Sequence, residues 1–169
     1  MPSEDDLYRW FSSHGFAIEQ REHPATPTVA DAKRIKLELP PGHSKSLLVE
    51  EKGGALTLIC ARGEIRADLK ALSTTLGTRR FSFAGEETMT ETLGVRPGSL
   101  TPLALINDTG RKIARVVLDA PLMKEAAIWC HPLRNTASVG VPPEAIIAFI
   151  TDHHGAPVLI DVAAPENGV

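Results

Sequence analysis

The sequence predicts a single mixed α/β domain over residues 1–169, with a central mixed, largely antiparallel sheet flanked by helices. Three observations support this prediction. A chain of 169 residues with 43% hydrophobic and 23% charged residues has the size and composition of one globular domain. Segments with strand character follow one another in pairs more often than they alternate with helices. No internal repeat, low-complexity tract or linker divides the chain.

The first half of the chain shows one clear helix and a central hairpin. Ser3 can cap a helix in which apolar residues recur at helical spacing from Leu7, and Gly15 can end it. The turn residues Glu51–Gly54 separate two apolar runs and indicate a hairpin. The predicted elements are a strand over Ala17–His23, a helix from Thr28 to about Leu37, strands over Lys45–Glu50 and Ala55–Arg62, a helix over Ala67–Leu76 and a strand over Arg79–Ala84.

The second half is richer in apolar and β-branched runs, which favour buried strands. The two consecutive prolines before Glu144 suit the first turn of a last helix, whose apolar face includes Ile146 and Phe149. The predicted elements are a helix over Glu86–Leu93, a loop over Gly94–Gly98, strands over Pro102–Asn107, Ala114–Leu118 and Ala126–Cys130, the helix that begins at Pro142-Pro143, and a strand over Val158–Val162.

Composition excludes several classes of protein. The longest apolar runs, Leu56–Ala61 and Pro102–Ile106, are too short to span a bilayer, and the acidic start Ser3–Asp6 is unlike a signal peptide. We therefore expect a cytoplasmic protein with no membrane partner. Cys60 and Cys130 lie in apolar stretches, where thiols usually act as small hydrophobic groups, and we assign them no disulfide.

The formal net charge of −3 argues against a protein that coats nucleic acid through a broad basic surface, and no DNA partner is expected. Any contact with RNA must therefore be local. Each basic cluster taken alone is more often an ordinary solvated surface. The basic candidates are Lys33-Arg34-Ile35-Lys36, Lys45, Arg79-Arg80 and Arg134.

Standard catalytic signatures are mostly absent from the sequence. There is no phosphate-binding Gly-rich loop, no G-x-S-x-G elbow and no Cys-x-x-Cys pair. The histidines form no pair at metal-ligand spacing, so we predict neither a metal nor a cofactor. Ser44-Lys45-Ser46 resembles a serine nucleophile beside a lysine base, but adjacent residues on a strand point to opposite faces, which argues against such a pair.

Two features nevertheless single out Lys45. It follows a Gly-containing loop and opens an apolar strand, where its ammonium group can project into a cleft while the stem packs. Two later loops, Gly98–Pro102 and His131–Ser138, each adjoin an apolar strand and can aim backbone N–H groups at a carbonyl oxygen. By position alone, however, Lys45 is consistent with an ordinary surface lysine, and the two loops are consistent with ordinary turns.

Four ordered motifs carry a family resemblance over nearly the whole chain. They are His23-Pro24 followed by Thr26; Gly42 with Lys45 and Leu47-Leu48-Val49; Gly98-Ser99-Leu100-Thr101-Pro102 leading to Leu105-Ile106-Asn107-Asp108; and His131-Pro132-Leu133-Arg134-Asn135-Thr136-Ala137. With these motifs the sequence resembles the YbaK/ProX family of aminoacyl-tRNA deacylases, which are relatives of the editing domain of many bacterial prolyl-tRNA synthetases. It looks most like the free-standing branch that removes alanine from mischarged proline tRNA.

The resemblance implies roles for individual residues. Lys45 matches the family lysine near the terminal adenosine and scissile ester, Gly98 the glycine of the loop that lines the aminoacyl pocket, and His131 the histidine that opens the last motif. We treat these three as catalytic candidates. We expect the pocket walls to lie near Ile35, Leu47, Gly98 and His131. The predicted substrate-binding positions are Thr26, Ile35, Leu47, Ser99 and Asn135.

The resemblance implies trans-editing of alanyl-tRNA(Pro). An activated ester needs no protein nucleophile when donors surround the developing oxyanion and the neighbouring ribose hydroxyl assists proton transfer. A synthetic site built for proline rejects the smaller alanine weakly, so a second pocket is needed. Because that pocket cannot read the tRNA, we predict that Lys45 and Arg79 or Arg80 contact the acceptor end, although the arginines also fit an ordinary exposed pair.

Mischarged tRNA(Pro) is the predicted substrate, and prolyl-tRNA synthetase is a candidate partner. Three alternatives remain open from the sequence. His43-Ser44-Lys45-Ser46 stands where several relatives place asparagine after the lysine, and Ser138 stands where threonine is common, so a cysteine or serine ester is an alternative substrate. A non-catalytic module that binds an RNA end is the second alternative, and an enzyme acting on a small free metabolite is the third.

Overall fold

The computed structural model describes residues 2–25, 34 and 39–163, and within them the strands form two sheets. The first sheet has three antiparallel strands in the order β1-β7-β6. The second has five strands in the order β4-β2-β3-β5-β8, of which β5 pairs in parallel with both β3 and β8. The strands are β1 (Glu19–Glu22), β2 (Ser44–Glu51), β3 (Leu56–Arg62), β4 (Phe81–Phe83), β5 (Ile113–Asp119), β6 (Ile128–Cys130), β7 (Ala137–Val141) and β8 (Val158–Ile160).

The predicted fold class is confirmed, and the structure adds that the sheet is divided. One parallel bridge between His43 and Trp129 connects the start of β2 to β6. Helix α1 begins with a capping box between Ser3 and Asp6, and α2 is capped by Asp68. The helices are α1 (Glu4–Ser13), α2 (Leu69–Leu76), α3 (Glu86–Leu93) and α4 (Pro143–His153). The helix predicted from Thr28 to Leu37 lies outside the described residues, apart from Arg34.

Two predictions in the second half were wrong. The segment Pro102–Asn107 forms a 3-10 helix instead of a strand. Its first turn contains Pro102, and the Thr101 hydroxyl accepts a hydrogen bond from the backbone N–H of Leu103 at 3.3 Å. The segment packs against α3 and α4 and is almost entirely buried. A short run that is apolar on every side gives no periodicity by which a strand can be told from a helix.

Strand β7 was missed, because its first residues were assigned to the loop after His131. The strand is short, rich in small residues and contains Gly140, a composition that weakens any strand signal. The glycine has a packing reason: a Cβ atom there would lie 2.7 Å from the ring of Trp129, its partner on β6. The pairing of β7 with both β1 and β6 makes it the centre of the smaller sheet.

The alternation of β2 divides its side chains between two apolar clusters. Leu48 joins the main core, which draws residues from both sheets and from α1, α3 and α4. Val49 joins a smaller cluster on the other face, where Leu72 of α2 packs over the five-stranded sheet. Lys45 and Leu47 share the face of Val49, since side chains two apart point the same way. Within the described ranges, every helix is too short or too polar to cross a bilayer.

Candidate active site

The cleft that contains Lys45 lies at an interruption in the outer edge of β2. Strand β4 pairs with this edge at Val49–Glu51, and the bridge to β6 lies at His43. Between them, at Lys45–Leu47, none of the described strands pairs with the edge. Helix α2 covers only part of the same face. The result is a cleft of about 550 Å³ beside Lys45, within the range of small-molecule sites.

Lys45 is half-buried on β2 opposite Ala61, and its Nζ donates a hydrogen bond to the carbonyl oxygen of Ile65. This contact holds the ammonium group against the segment between β3 and α2. The neighbouring serines point away: Ser44 Oγ donates to the Trp129 carbonyl at 2.7 Å, and Ser46 pairs with Cys60, which belongs to the main core. The structure thus gives no serine–lysine pair, as strand alternation predicts.

The rest of the cleft combines an apolar floor with charged groups at its rim. Leu47 lines the cleft together with Lys45. Arg66, Asp68 and Phe83, which also line the cleft, were not predicted from the sequence. Arg66 and Phe83 are exposed, whereas Asp68 accepts a hydrogen bond from the Ala71 N–H at 2.9 Å. No short motif marks these residues, because the fold brings them to β2 from separate segments. The remaining lining residues are Ala67 and Leu69.

His131 follows β6 on the same side of the joined sheets as Lys45. The His43–Trp129 bridge aligns the two chains, and both candidates lie two residues further along. The Nδ1 atom of His131 lies 2.9 Å from the carbonyl oxygen of Ala137, which can only accept, so Nδ1 carries the proton. Burial lowers the pKa of His131 below the ordinary 6.5. The ring is therefore neutral near pH 7, with an acceptor lone pair at Nε2.

A second histidine, His23, lies beside His131, with the ring centroids 6.3 Å apart. Its Nδ1 lies 2.9 Å from the carbonyl oxygen of Pro24, and its Nε2 lies 2.9 Å from Ser138 Oγ. Since the Pro24 carbonyl can only accept, His23 Nδ1 carries a proton, and His23 Nε2 and the Ser138 hydroxyl form a second hydrogen bond. The first and fourth sequence motifs, more than a hundred residues apart, thus meet at one face of the smaller sheet.

The Gly98 loop adjoins the loop after His131 at Asn135, and not at the two histidines. Gly98 is exposed at φ +89°, and a Cβ atom there would lie 3.9 Å from Asn135 Nδ2. Ser99 is half-buried and closes the turn by donating its N–H to the Arg96 carbonyl at 3.0 Å. Gly98 and Asn135 are therefore neighbours, and their places in an aminoacyl pocket stay predictions. Neither is among the described residues that line the Lys45 cleft.

Arg134, a basic candidate in the sequence, is neutralised by two carboxylates. Its Nε donates to Glu4 Oε2 at 2.7 Å, its Nη1 donates to Glu22 Oε2 at 2.8 Å, and Nη1 also donates to the Thr136 hydroxyl at 2.8 Å. These bonds lower the pKa values of Glu4 and Glu22 and raise that of Arg134. Arg134 thus fastens the loop to α1 and β1.

The other predicted tRNA contacts lie at the far end of β2. Arg79 and Arg80 are exposed and precede Phe81, which pairs with Glu51. Glu51 lies six positions after Lys45 along the strand, a distance of about 20 Å. Thr26 and Ile35 lie outside the described residues, so their predicted places in the pocket stay predictions.

Cys60 and Cys130 are buried, unpaired thiols in the main core. Burial raises the pKa of Cys60 to about 12 and raises that of Cys130 as well, so both thiols are protonated near pH 7. In the part of the chain that the structure describes, the His, Cys, Asp and Glu side chains form no group of three at metal-binding distance.

Comparison with known proteins identifies related sequences and folds. Residues 23–149 match the aminoacyl-tRNA editing domain family. The prolyl-tRNA synthetase associated domain-containing protein 1 of Danio rerio is 33% identical over 141 residues, which cover 82% of this chain and 76% of that protein. The prolyl-tRNA editing protein ProX of Acetoanaerobium sticklandii is 29% identical over 119 residues, which cover 70% and 72%. A solved structure described as a candidate trans-editing enzyme for prolyl tRNA synthetase shares the fold, with a TM-score of 0.73, 21% identity and coverage of 98% and 99%.

Proposed function

We propose that this chain, which belongs to the aminoacyl-tRNA editing domain family, removes alanine from mischarged tRNA(Pro). It is an aminoacyl-tRNA deacylase related to the prolyl-tRNA editing proteins. The names of the relatives support proline tRNA as the carrier and prolyl-tRNA synthetase as a candidate partner. The resemblance of the third and fourth motifs to the free-standing branch supports alanine as the amino acid.

In the proposed reaction a water oxygen attacks the ester carbonyl carbon, and the bond from that carbon to the ribose oxygen breaks. The products are free alanine and uncharged tRNA. One water proton reaches the ribose oxygen by way of the neighbouring ribose hydroxyl, so no covalent enzyme intermediate is needed. The protein's part is to hold the ester, the water and the donors to the oxyanion in place.

The observation that carries the proposal is the placement of Lys45 in a cleft at the edge of the sheet. The Ile65 carbonyl fixes the direction of its side chain, and the cleft beside it is large enough for a nucleoside. A fixed cation in a half-buried site attracts the phosphate or ribose oxygens of a tRNA end more strongly than a mobile surface lysine. Lys45 therefore acts as a positioning and electrostatic group, and not as a nucleophile.

His131 supplies the second part of the proposed site. Its neutral ring, with the proton on Nδ1, leaves Nε2 to accept a hydrogen bond from the attacking water. The Gly98 loop, which meets Asn135, supplies backbone N–H groups for the oxyanion. We further propose that Thr26, Ile35, Leu47 and Ser99 wall a pocket that excludes proline by size.

We assign recognition of the tRNA to two arginines outside the pocket, Arg79 and Arg80. Arg79 and Arg80 are exposed about 20 Å from Lys45 along β2. That separation suits contacts with the acceptor stem while Lys45 holds its end, by phosphate pairing or by bidentate contact with a base. These contacts would distinguish alanine on proline tRNA from alanine on its own tRNA.

A deacylation panel tests the proposal. The purified protein is mixed with tRNA(Pro) charged with alanine, cysteine, serine or proline, and with alanine on alanine tRNA. We expect rapid loss of alanine from tRNA(Pro), slow loss from alanine tRNA and intact prolyl-tRNA(Pro). A faster loss of cysteine or serine would reassign the amino acid. Unchanged charging throughout, with binding to the RNA, would favour a non-catalytic module instead.

A further inference from the structure

Phe83 is an aromatic side chain that the fold leaves uncovered beside the Lys45 cleft. It is 65% exposed, the largest exposure of a large hydrophobic side chain among the described residues. Phe81, two residues earlier on the same strand and the same face, is only 6% exposed. Leaving a phenylalanine in water forgoes the stabilisation that burial of its ring would give. Its position at a cleft therefore suggests a ligand.

The geometry explains why one ring is covered and the other is not. Phe81 pairs with Glu51 and belongs to the apolar cluster under α2, whereas Phe83 pairs with Val49. From Phe81 to Phe83, strand β4 thus leaves the cluster under α2 and approaches the part of β2 that contains Lys45. Phe83 then lines the cleft together with Lys45 and Leu47.

The charges around Phe83 indicate which kind of ligand fits. Among the described residues that line the cleft, Lys45 and Arg66 are cationic, and the carboxylate of Asp68 accepts the hydrogen bond that caps α2. Lys45 lies four residues from Val49, the partner of Phe83, so the two functional positions are about 13 Å apart along β2. An aromatic face next to cations is the arrangement by which proteins hold an unstacked nucleobase and its phosphate.

We propose that Phe83 is a stacking platform for the base of the 3′-terminal nucleotide of the tRNA, and that Arg66 binds the adjoining phosphate. This assignment rests on the proposed function, since it places the RNA end in the Lys45 cleft. It adds that the nucleotide is recognised at the edge strand β4. Stacking is tolerant of base identity, because every base has an aromatic face. Phe83 therefore contributes affinity, while the stem contacts supply the choice of tRNA.

The test uses an uncharged acceptor-stem RNA hairpin that carries 2-aminopurine in place of its 3′-terminal base. Stacking on an aromatic ring changes 2-aminopurine emission, so binding and stacking are read in one titration. Phe83→Leu keeps an apolar side chain and removes the ring, whereas Phe83→Trp keeps an aromatic face. Leu159→Ala is the matched control, because Leu159 is an exposed apolar residue on β8 at the opposite edge of the same sheet.

We expect the wild type, Phe83→Trp and Leu159→Ala to quench the emission and bind with similar Kd. Phe83→Leu should bind about 5- to 100-fold more weakly and lose the quenching. Arg66→Ala should weaken binding and flatten its dependence on salt. The proposal is overturned if Phe83→Leu binds and quenches like the wild type, or if it loses equal affinity for a hairpin whose terminal nucleotide lacks a base.

Two further readouts separate the possible failures. If a second copy of the chain covers Phe83, the wild type sediments as a dimer and Phe83→Leu as a monomer, which also overturns the proposal. Because the hairpin is uncharged, the titration does not depend on which amino acid is removed. Failure of the alanine panel with intact quenching would reject the alanine assignment alone, and normal deacylation without quenching would reject only the role of Phe83.

Discussion

The Lys45 cleft and the loop His131–Thr136 both adjoin the bridge between the two sheets, but the cations in these regions have different surroundings. In the cleft, Lys45 and Arg66 adjoin apolar residues such as Leu47, at a stretch of β2 that lies between its pairing with β4 and its bridge to β6. In the loop, Arg134 is bound by Glu4, Glu22 and Thr136. In the proposed function the first region binds the RNA end through its cations, whereas the second uses charge to fix a backbone.

The loop needs such fixing because its backbone is strained. Leu133 adopts φ 73°, in the left-handed region that a branched side chain seldom occupies. Strain of this kind persists only where the surrounding contacts outweigh it. Leu133 packs against the main core, and Arg134 ties the next residue to α1 and β1. A basic residue in a sequence motif can thus stabilise the shape of a loop through ion pairs within the protein.

The largest expected effect is on the cleft side. Lys45→Ala should lower kcat/KM for the mischarged tRNA by about 100- to 1000-fold, because it removes a preorganised charge from the reacting end. The melting temperature should hardly change, since half-buried Lys45 contributes little to either apolar cluster. Lys52→Ala, an exposed lysine in the turn after β2, is the matched control. A loss of similar size in Lys52→Ala would contradict a special role for the cleft.

The next effect concerns His131, at the start of the loop. His131→Gln should reduce kcat by about 100-fold, because glutamine cannot offer the same acceptor to the attacking water. Since burial lowers the pKa of His131, the wild-type rate should stay flat down to about pH 6.5, the ordinary imidazole value, and fall only below it as Nε2 becomes protonated. Rates from pH 5 to 7.5, corrected for spontaneous hydrolysis, measure this.

The variant His131→Gln should lack that acidic decline. His14→Gln provides the control, because His14 is exposed at the end of α1. An unchanged pH profile in His131→Gln would show that another group titrates.

The smallest effect is on stability and arises in the loop. Arg134→Met should lower the melting temperature by about 2–6 °C at pH 7, whereas Arg9→Ala, which breaks the more exposed pair with Asp6, should lower it less. Arg134 holds the pKa values of Glu4 and Glu22 below the usual 4.5, so its contribution is present above about pH 4.5 and is lost as the pH falls through the lowered values.

Urea unfolding of the wild type and Arg134→Met at pH 7 and pH 3 measures that loss. The difference between the two proteins should shrink at pH 3. A difference that is equal at both values would mean that packing of the arginine stem, and not its ion pairs, stabilises the loop.

The sequence predicted the secondary structure well in segments that are amphipathic or that carry a helix cap. Helix α1, with its Ser3 cap, and the β2–β3 hairpin were predicted close to their observed bounds, because local periodicity and turn residues specify them. The segment Pro102–Asn107 and strand β7 were mistaken, because their conformations depend on burial from several sides. Lys45 and His131 were selected by motif resemblance, and position alone would have left both as ordinary residues.

The sequence by itself determined the fold class, the faces of β2 and the likeness to an editing domain, since alternation, capping and motif order are properties of neighbouring residues. Only the tertiary structure decided that Arg134 is bound by carboxylates, that Gly98 meets Asn135, and that Arg66 and Phe83 share a cleft with Lys45. These contacts join residues from separate segments, and the packing of sheets and helices sets them. The environment of a charge or a ring therefore becomes visible only when the chain is folded.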